Sequence, residues 1–219
     1  MNSKLLLEIM DYKNLSLRIL LSFMFITFYF TLFFYYADKI IYFVTFIYLL
    51  ICIEIFLNFK KSINKILCYI VISYLSMLFY FKFDFNLNEF TLIILCIICF
   101  DSFSYLFGKI FGKKKMLNKI SPNKTYEGLL GGIFSTNLIS LVFYLKFNFY
   151  TTSINLNIFI FINIVILFSF FGDLIQSYFK RLNNLKDSSN FLPGHGGFFD
   201  RFDSFLLVII PFSINNFLF

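Results

Sequence analysis

The sequence predicts an all-α integral membrane protein, a polytopic bundle of about seven transmembrane helices with a cytoplasmic N-terminus. Three observations predict it. The 219 residues are 59% hydrophobic and only 14% charged, and the mean hydropathy of +0.81 lies outside the range of a soluble globular domain. The apolar residues fall into seven continuous runs separated by short polar connectors. Basic residues then gather in alternate connectors, on one side of the implied bundle.

A helix crosses the hydrocarbon core with roughly 20 apolar residues, and shorter runs span when flanking side chains snorkel or the bilayer thins. The seven runs cover about 17 to 36, 40 to 59, 66 to 81, 90 to 107, 128 to 145, 158 to 179 and 204 to 219; the third and last are short. Strands of a transmembrane barrel would instead show about ten residues of alternating hydrophobicity. The first run exceeds a typical signal-peptide core and lacks a small-residue cleavage site, so it reads as an uncleaved anchor. With no linker and no internal repeat, residues 1–219 form a single membrane domain, with N-terminal helices over 1–97 and the chemistry over 98–219.

Lys and Arg accumulate in short cytoplasmic connectors. With the N-terminus inside, sixteen of the 19 basic residues fall on the cytoplasmic side and only Lys39, Lys82 and Lys146 on the other. This orientation suits a bacterial inner membrane. It leaves two basic cytoplasmic segments as candidates for function, 108 to 127 and 180 to 203. Topology alone explains Lys60, Lys61 and Lys65 in an earlier connector. It does not explain Asp187, Asp200 and Asp203 interleaved with Lys180, Arg181, Lys186 and Arg201 around the turn-forming Pro193-Gly194-His195-Gly196-Gly197.

Helical spacing sharpens this reading. Asp173, Gln176, Ser177, Lys180 and Arg181 follow i, i+3, i+4, i+7 and i+8, so the sixth span carries one polar stripe. Ionisable groups within a span are costly and face a bundle interior or a watery cavity. Asp200, Asp203 and Ser204 repeat the spacing at the last span, and Asp101, Ser104, Tyr105 and Gly108 repeat it in the fourth. Carboxylates beside basic residues suit a hard cation and a phosphorylated substrate, because Mg²⁺ sites combine one or two carboxylates with substrate phosphates. The glycines of PGHGG let backbone N–H groups approach a phosphate or adopt positive φ.

The other segment reads Ser121-Pro-Asn-Lys-Thr-Tyr-Glu-Gly. Ser121 suits an N-cap and Pro122 a first helical position, which places Lys124, Thr125 and Glu127 in the first turns of the fifth span. Gly128, Gly131 and Gly132 then offer a close-packing face, within the bundle or across a homodimer. Cys52, Cys68, Cys96 and Cys99 all lie within spans, so the Cys96-x-x-Cys99 pair reads as helix packing rather than zinc or redox chemistry.

These residues resemble the signature of the phosphatidate cytidylyltransferases, or CDP-diacylglycerol synthases. Ser177, Lys180 and Arg181 match its S-x-x-K-R, Lys186-Asp187 its K-D, residues 193–197 its P-G-H-G-G, and Asp200 to Ser204 its D-R-x-D-S. Asp101, Tyr105, Gly108, Ser121-Pro122, Lys124-Thr125 and Glu127-Gly128 resemble an upstream block. The resemblance covers about 98 to 205 and implies transfer of CMP from CTP to phosphatidate, giving CDP-diacylglycerol and pyrophosphate. It implies Mg²⁺, alone or with a second cation. Asp173 and Asp200 would lead as metal ligands, with Asp187 and Asp203 as further or supporting ones. Lys180, Arg181, Lys186 and Arg201 would hold phosphates. Ser121, Lys124, Thr125, Glu127 and Ser177 would shape the nucleotide and lipid phosphate site, and His195 with Gly194, Gly196 and Gly197 the loop beneath it. CTP, phosphatidate and the bilayer are the expected partners, and nucleic acid is not.

Departures from the pattern are Gln176 where the family commonly has Glu, Asn123 where Lys is frequent, and Ser104 where Ala is usual. The chain is also shorter than many bacterial relatives. An inactive relative and a transporter are the rival readings. A transporter would distribute polar residues along several helices and across the bilayer, whereas here they gather at one end. A CDP-alcohol phosphotransferase would carry a compact run beginning Asp-Gly, which is absent. Glu54, alone in the second span, receives no role.

Overall fold

The computed structural model describes residue 24 and residues 27–31, 33–117, 120–147, 156–192 and 196–213. Helical residues 27–31 and 33–35 and a 3₁₀ turn at Ala37–Lys39 lead into helix α1, Ile40–Asn58. There follow α2 (Ile63–Phe83), α3 (Leu87–Phe111), a hairpin of β1 (Lys115–Leu117) and β2 (Ser121–Thr125), then α4 (Tyr126–Phe147), α5 (Leu156–Leu182) and α6 (Phe199–Phe212).

Among the described residues five helices are long and apolar enough to cross a membrane: Ala37–Asn58, Ile63–Phe83, Leu87–Phe111, Tyr126–Lys146 and Ile158–Leu182. They correspond to the second through sixth expected spans, and the protein is a mostly helical, polytopic membrane bundle. The expected span 17 to 36 falls largely outside the described residues. Of 204 to 219, the described part belongs to α6, a 14-residue helix that begins earlier than expected and is shorter than a span. The third expected span is longer than its apolar run because the helix takes in Lys65 and Lys82 near its ends, where long basic side chains reach for the interface.

Two expectations about the fifth span are corrected. Residues 121–125 are strand rather than helix, so the bundle is not purely α. The hairpin pairs Lys115 with Thr125 and Leu117 with Ser121, and the chain turns into α4 where Tyr126 N–H donates to the Lys114 carbonyl at 3.1 Å. Extended backbone before a proline suits a strand as well as a cap, and here Ser121 is taken up by its pairing with Leu117, so it does not cap the helix. Thr125 does so instead, its Oγ1 accepting from Gly128 N–H at 3.1 Å.

Helix α6 sits at the centre. It packs on α5 and α2 and touches α1 and α3, and it buries Phe199, Ser204, Phe205, Leu206, Val208, Ile209 and Phe212. Ser73 of α2 donates to the Leu206 carbonyl at 2.6 Å and pairs with the Tyr48 hydroxyl of α1 at 2.6 Å, which satisfies polar groups inside an apolar interior. Large apolar side chains such as Phe46, Leu75, Phe134 and Val142 cover the outside.

Close approach of α3 and α4 rests on the small residues. A Cβ on Gly131 would strike the Phe107 ring, one on Gly128 would lie 2.6 Å from the Ser104 carbonyl, and one on Gly132 2.9 Å from Ser104 Cβ. That face is therefore used within the chain. The four cysteines are free, and Cys96 Sγ meets Ser140 Oγ of α4 at 3.2 Å, in keeping with a packing role.

Candidate active site

The polar stripe on α5 faces α6 and the hairpin. Gly172 makes the approach possible, since a Cβ there would stand 2.6 Å from the Asp203 carbonyl oxygen and 3.0 Å from Ser204 Cα. One residue on, Asp173 receives Lys124 Nζ of β2 at 2.6 Å and accepts from Ser177 Oγ at 3.2 Å. Lys124 also lies 4.5 Å over the Phe170 ring, a cation–π contact that keeps the ammonium beside the carboxylate.

The next turn of the stripe holds Asp200. Its Oδ1 accepts from Gln176 Nε2 at 2.6 Å and from Lys180 Nζ at 2.7 Å. Its Oδ2 accepts from Ser188 N–H at 2.7 Å, Ser188 Oγ at 2.8 Å and Gly197 N–H at 3.1 Å. Burial pushes the Asp200 carboxyl up, but the Lys180 ammonium and the Ser188 donors outweigh it and hold the carboxyl below its ordinary value. Both glycines beside it have reasons. Gly196 adopts φ +78, with the Asp200 carboxylate 2.7 Å from where its Cβ would be, and a Cβ on Gly197 would collide with Glu54 and Ser188. The described glycines thus wrap the carboxylate.

Asp203 follows one turn later. Its Oδ1 accepts the Ser204 N–H at 2.8 Å, and burial together with the neighbouring Asp173 and Asp101 carboxylates pushes its carboxyl well above the ordinary range. Ser204 Oγ reaches Asp101 Oδ2 on α3 at 3.4 Å. Asp101, Asp173 and Asp203 therefore form an acidic group drawn from three helices, with the Lys124 ammonium among them. Asp101 was legible as the start of a polar stripe, but nothing local tied it to the other two.

Other expected site residues lie further out. Arg181 ties the hairpin to α5, its Nε donating to the Ile120 carbonyl at 3.4 Å and its Nη1 to the Leu185 carbonyl at 3.2 Å. Glu127 accepts the Lys114 N–H, Ser121 lies in β2, and Thr125 caps α4. Lys186, Asp187 and Arg201 are exposed. Gly194 and His195 lie outside the described residues. Sequence reasoning gave no site role to Ser188, whose two donors hold Asp200.

Among the described residues no three His, Cys, Asp or Glu side chains converge as a ready-made metal cage. The donor set nevertheless fits a hard cation of the Mg²⁺ kind, which takes one or two carboxylates and completes its shell with water and substrate phosphate. Asp173, paired with Lys124, is one such carboxylate, and Asp101 or Asp203, close enough to repel it, would supply the second.

Residues 4–219 match the model of the cytidylyltransferase family. The chain is 45% identical over 112 residues to a phosphatidate cytidylyltransferase of Staphylococcus aureus (strain COL), a match covering 50% of this chain and 41% of that relative. It is 44% identical over 112 residues to those of Staphylococcus haemolyticus and Staphylococcus epidermidis, with the same coverage. The aligned part thus spans less than half the length of these relatives. With the family model matching almost from end to end, the chain belongs to the cytidylyltransferase family.

Proposed function

We propose that the protein transfers CMP from CTP to phosphatidate, releasing pyrophosphate and forming CDP-diacylglycerol. The observation that carries the proposal is the meeting of Lys124, Asp173, Lys180 and Asp200, from β2, α5 and α6, next to Asp101 and Asp203. A phosphatidate oxygen attacks the α-phosphorus of CTP, and the bond from that phosphorus to the oxygen bridging it to the β-phosphorus breaks as pyrophosphate leaves. Such a displacement needs charge neutralisation and alignment more than covalent participation by the protein.

Asp173, with Asp101 and Asp203 facing it, would hold Mg²⁺, and a second cation has the same carboxylates to draw on. The bound cation would neutralise phosphate oxygens and polarise the α-phosphorus. In the described arrangement every Asp200 oxygen is engaged by protein donors, so Asp200 serves first to aim Lys180. Were Lys180 to turn to a phosphate, Asp200 Oδ1 would keep its Gln176 donor and have a lone pair open for the ligand role that the family pattern implies. Arg181, Lys186 and Arg201 lie on the same side and would take the outer phosphates. Lys124 sits between the acidic group and the hairpin, where Ser121, Thr125 and Glu127 shape the rim. His195 and the glycines would support the loop below. The basic side carrying this site is the cytoplasmic one, in a bacterial inner membrane.

The test is CTP-dependent conversion of labelled phosphatidate to CDP-diacylglycerol by the purified chain, with Mg²⁺ or with EDTA, beside Asp173→Asn. Product that needs the metal and is lost in the variant supports the reading. Absence of product from folded protein across lipid acceptors overturns it.

A further inference from the structure

Glu54 belongs to none of the groups described so far. It is the only acidic residue of α1, it is fully buried, and it reaches the catalytic segment from the opposite half of the chain. Its Oε2 accepts the Phe198 N–H at 2.7 Å and the Phe199 N–H at 3.2 Å. These are among the N–H groups that the start of a helix leaves without partners, and α6 has no side-chain cap of its own at Phe198. An acidic group at a helix N-terminus also meets the favourable end of the helix dipole. The other Glu54 oxygen stands against Gly197, where any side chain would strike it and Ser188 Oγ.

The segment Gly197–Phe199 is thus held from two sides, by Asp200 through Gly197 N–H and by Glu54 through the next two N–H groups. The same end of α1 is fastened twice more. The Phe59 and Phe199 rings meet edge-on with centroids 5.8 Å apart. Asn183, just past α5, accepts the Lys60 and Lys61 N–H groups at 2.9 and 2.6 Å and donates to the Lys61 carbonyl at 3.1 Å. A hydrophobic core needs no carboxyl at this depth, and burying one is costly unless it is well bonded. A group placed there at that cost, with one oxygen bonded to the start of the turn that carries Asp200 and Asp203 and the other against Gly197 and Ser188, serves the placement of that turn.

We infer that Glu54 is a positioning residue for the CMP transfer proposed above, on which this inference rests. It sets the height and rotation of the first turn of α6, so that Asp200 stays under Lys180 and Asp203 faces Asp173. The N-terminal helices over 1–97, which carry none of the signature, contribute through this side chain to the geometry of the site.

The experiment compares the full chain with Glu54→Gln, Glu54→Asp and Glu54→Leu, reading kcat, KM for CTP, thermal unfolding in detergent, and hydrogen exchange at residues 188 and 197–199. The Gln carbonyl can still accept both N–H groups, so E54Q is expected to keep kcat within about threefold. Aspartate is one methylene short and leucine accepts nothing, so both are expected to lower kcat by about 30-fold or more with KM for CTP nearly unchanged, since sub-ångström misplacement acts on the reacting geometry. Exchange at Phe198 and Phe199 should quicken about tenfold or more in both, with α2 and α3 unaltered. Should E54L not fold, E54D carries the comparison. Wild-type kcat in E54D, or unaltered exchange at 198 and 199, overturns the inference, as does loss in E54Q equal to that in E54D. A wild-type chain without CMP transfer overturns the proposed function instead, while the exchange result still reports whether Glu54 holds the turn.

Discussion

Lys124 and Asp173 meet at 2.6 Å, although one lies in a hairpin strand and the other more than two turns from the end of a long apolar helix. The pair gives the acidic group its internal countercharge. Lys124→Met removes it and leaves Asp101, Asp173 and Asp203 to an external cation alone. CMP transfer is expected to fall by about 100-fold, the scale of losing one well-aimed electrostatic group. Affinity for Mn²⁺ in the nucleotide-free protein should rise instead, by about tenfold, because an ammonium no longer competes for Asp173. Paramagnetic resonance titration with Mn²⁺ beside the transfer assay reads both.

Gln176 and Asp200 supply a pH-dependent prediction. The Asp200 carboxyl is held below its ordinary value, so its pairing contributes stability that is fully present above the unfolded pKa of about 3.9 and is lost as pH falls through the folded value. Gln176→Glu removes a donor 2.6 Å from Oδ1 and sets a second carboxyl against it, which raises the Asp200 pKa. Acid unfolding, followed by far-UV circular dichroism in detergent, should therefore begin at higher pH in the variant. An unchanged midpoint would show that Gln176 does not stabilise the Asp200 carboxylate.

Much of this site was legible because one helix carries it. Asp173, Gln176, Ser177 and Lys180 share a face by spacing alone, and all four point into the cluster. The hairpin was not legible, because Ser121-Pro122 is equally a helix start and an extended dipeptide, and pairing with residues 115–117 decides between them. Glu54 stood out as a lone carboxyl in an apolar span, but its role was not legible, because its partners are backbone N–H groups 144 and 145 residues away, and such groups have no signature in a sequence. Gly172 reads as one more small residue in an apolar run until Asp203 is seen against it.

Gly172 governs how closely α5 and α6 approach. A methyl group there would stand 2.6 Å from the Asp203 carbonyl oxygen, and neither backbone can yield without moving its carboxylate. Gly172→Ala is expected to cost about 1–3 kcal/mol, as overpacking does, and to separate Asp173 from Asp203. Transfer activity should drop further than the loss of folded protein, measured by thermal unfolding of the same preparation, can explain. Gly131→Ala, which strikes the Phe107 ring away from the carboxylates, is the control and should lose activity only in step with folding.

Gly196 separates conformational strain from contact. Its φ of +78 costs an L-residue roughly 1–2 kcal/mol, and the added Cβ would press on Asp200 Oδ2 at 2.7 Å. Gly196→Ala should therefore lower Tm by about 2–4 °C per kcal/mol lost and weaken the hold of Ser188 and Gly197 on Asp200. Lys180, paired with the other oxygen of that carboxylate, then loses its fixed direction. The expected kinetic signature is a lower kcat together with weaker CTP binding, because both the phosphate contact and its alignment depend on Lys180. Gly196→Asn tolerates positive φ better than Ala does, so it should recover part of the stability while keeping the activity defect. If Asn restores activity as fully as stability, the glycine serves backbone conformation alone and Asp200 is indifferent to what stands beside it.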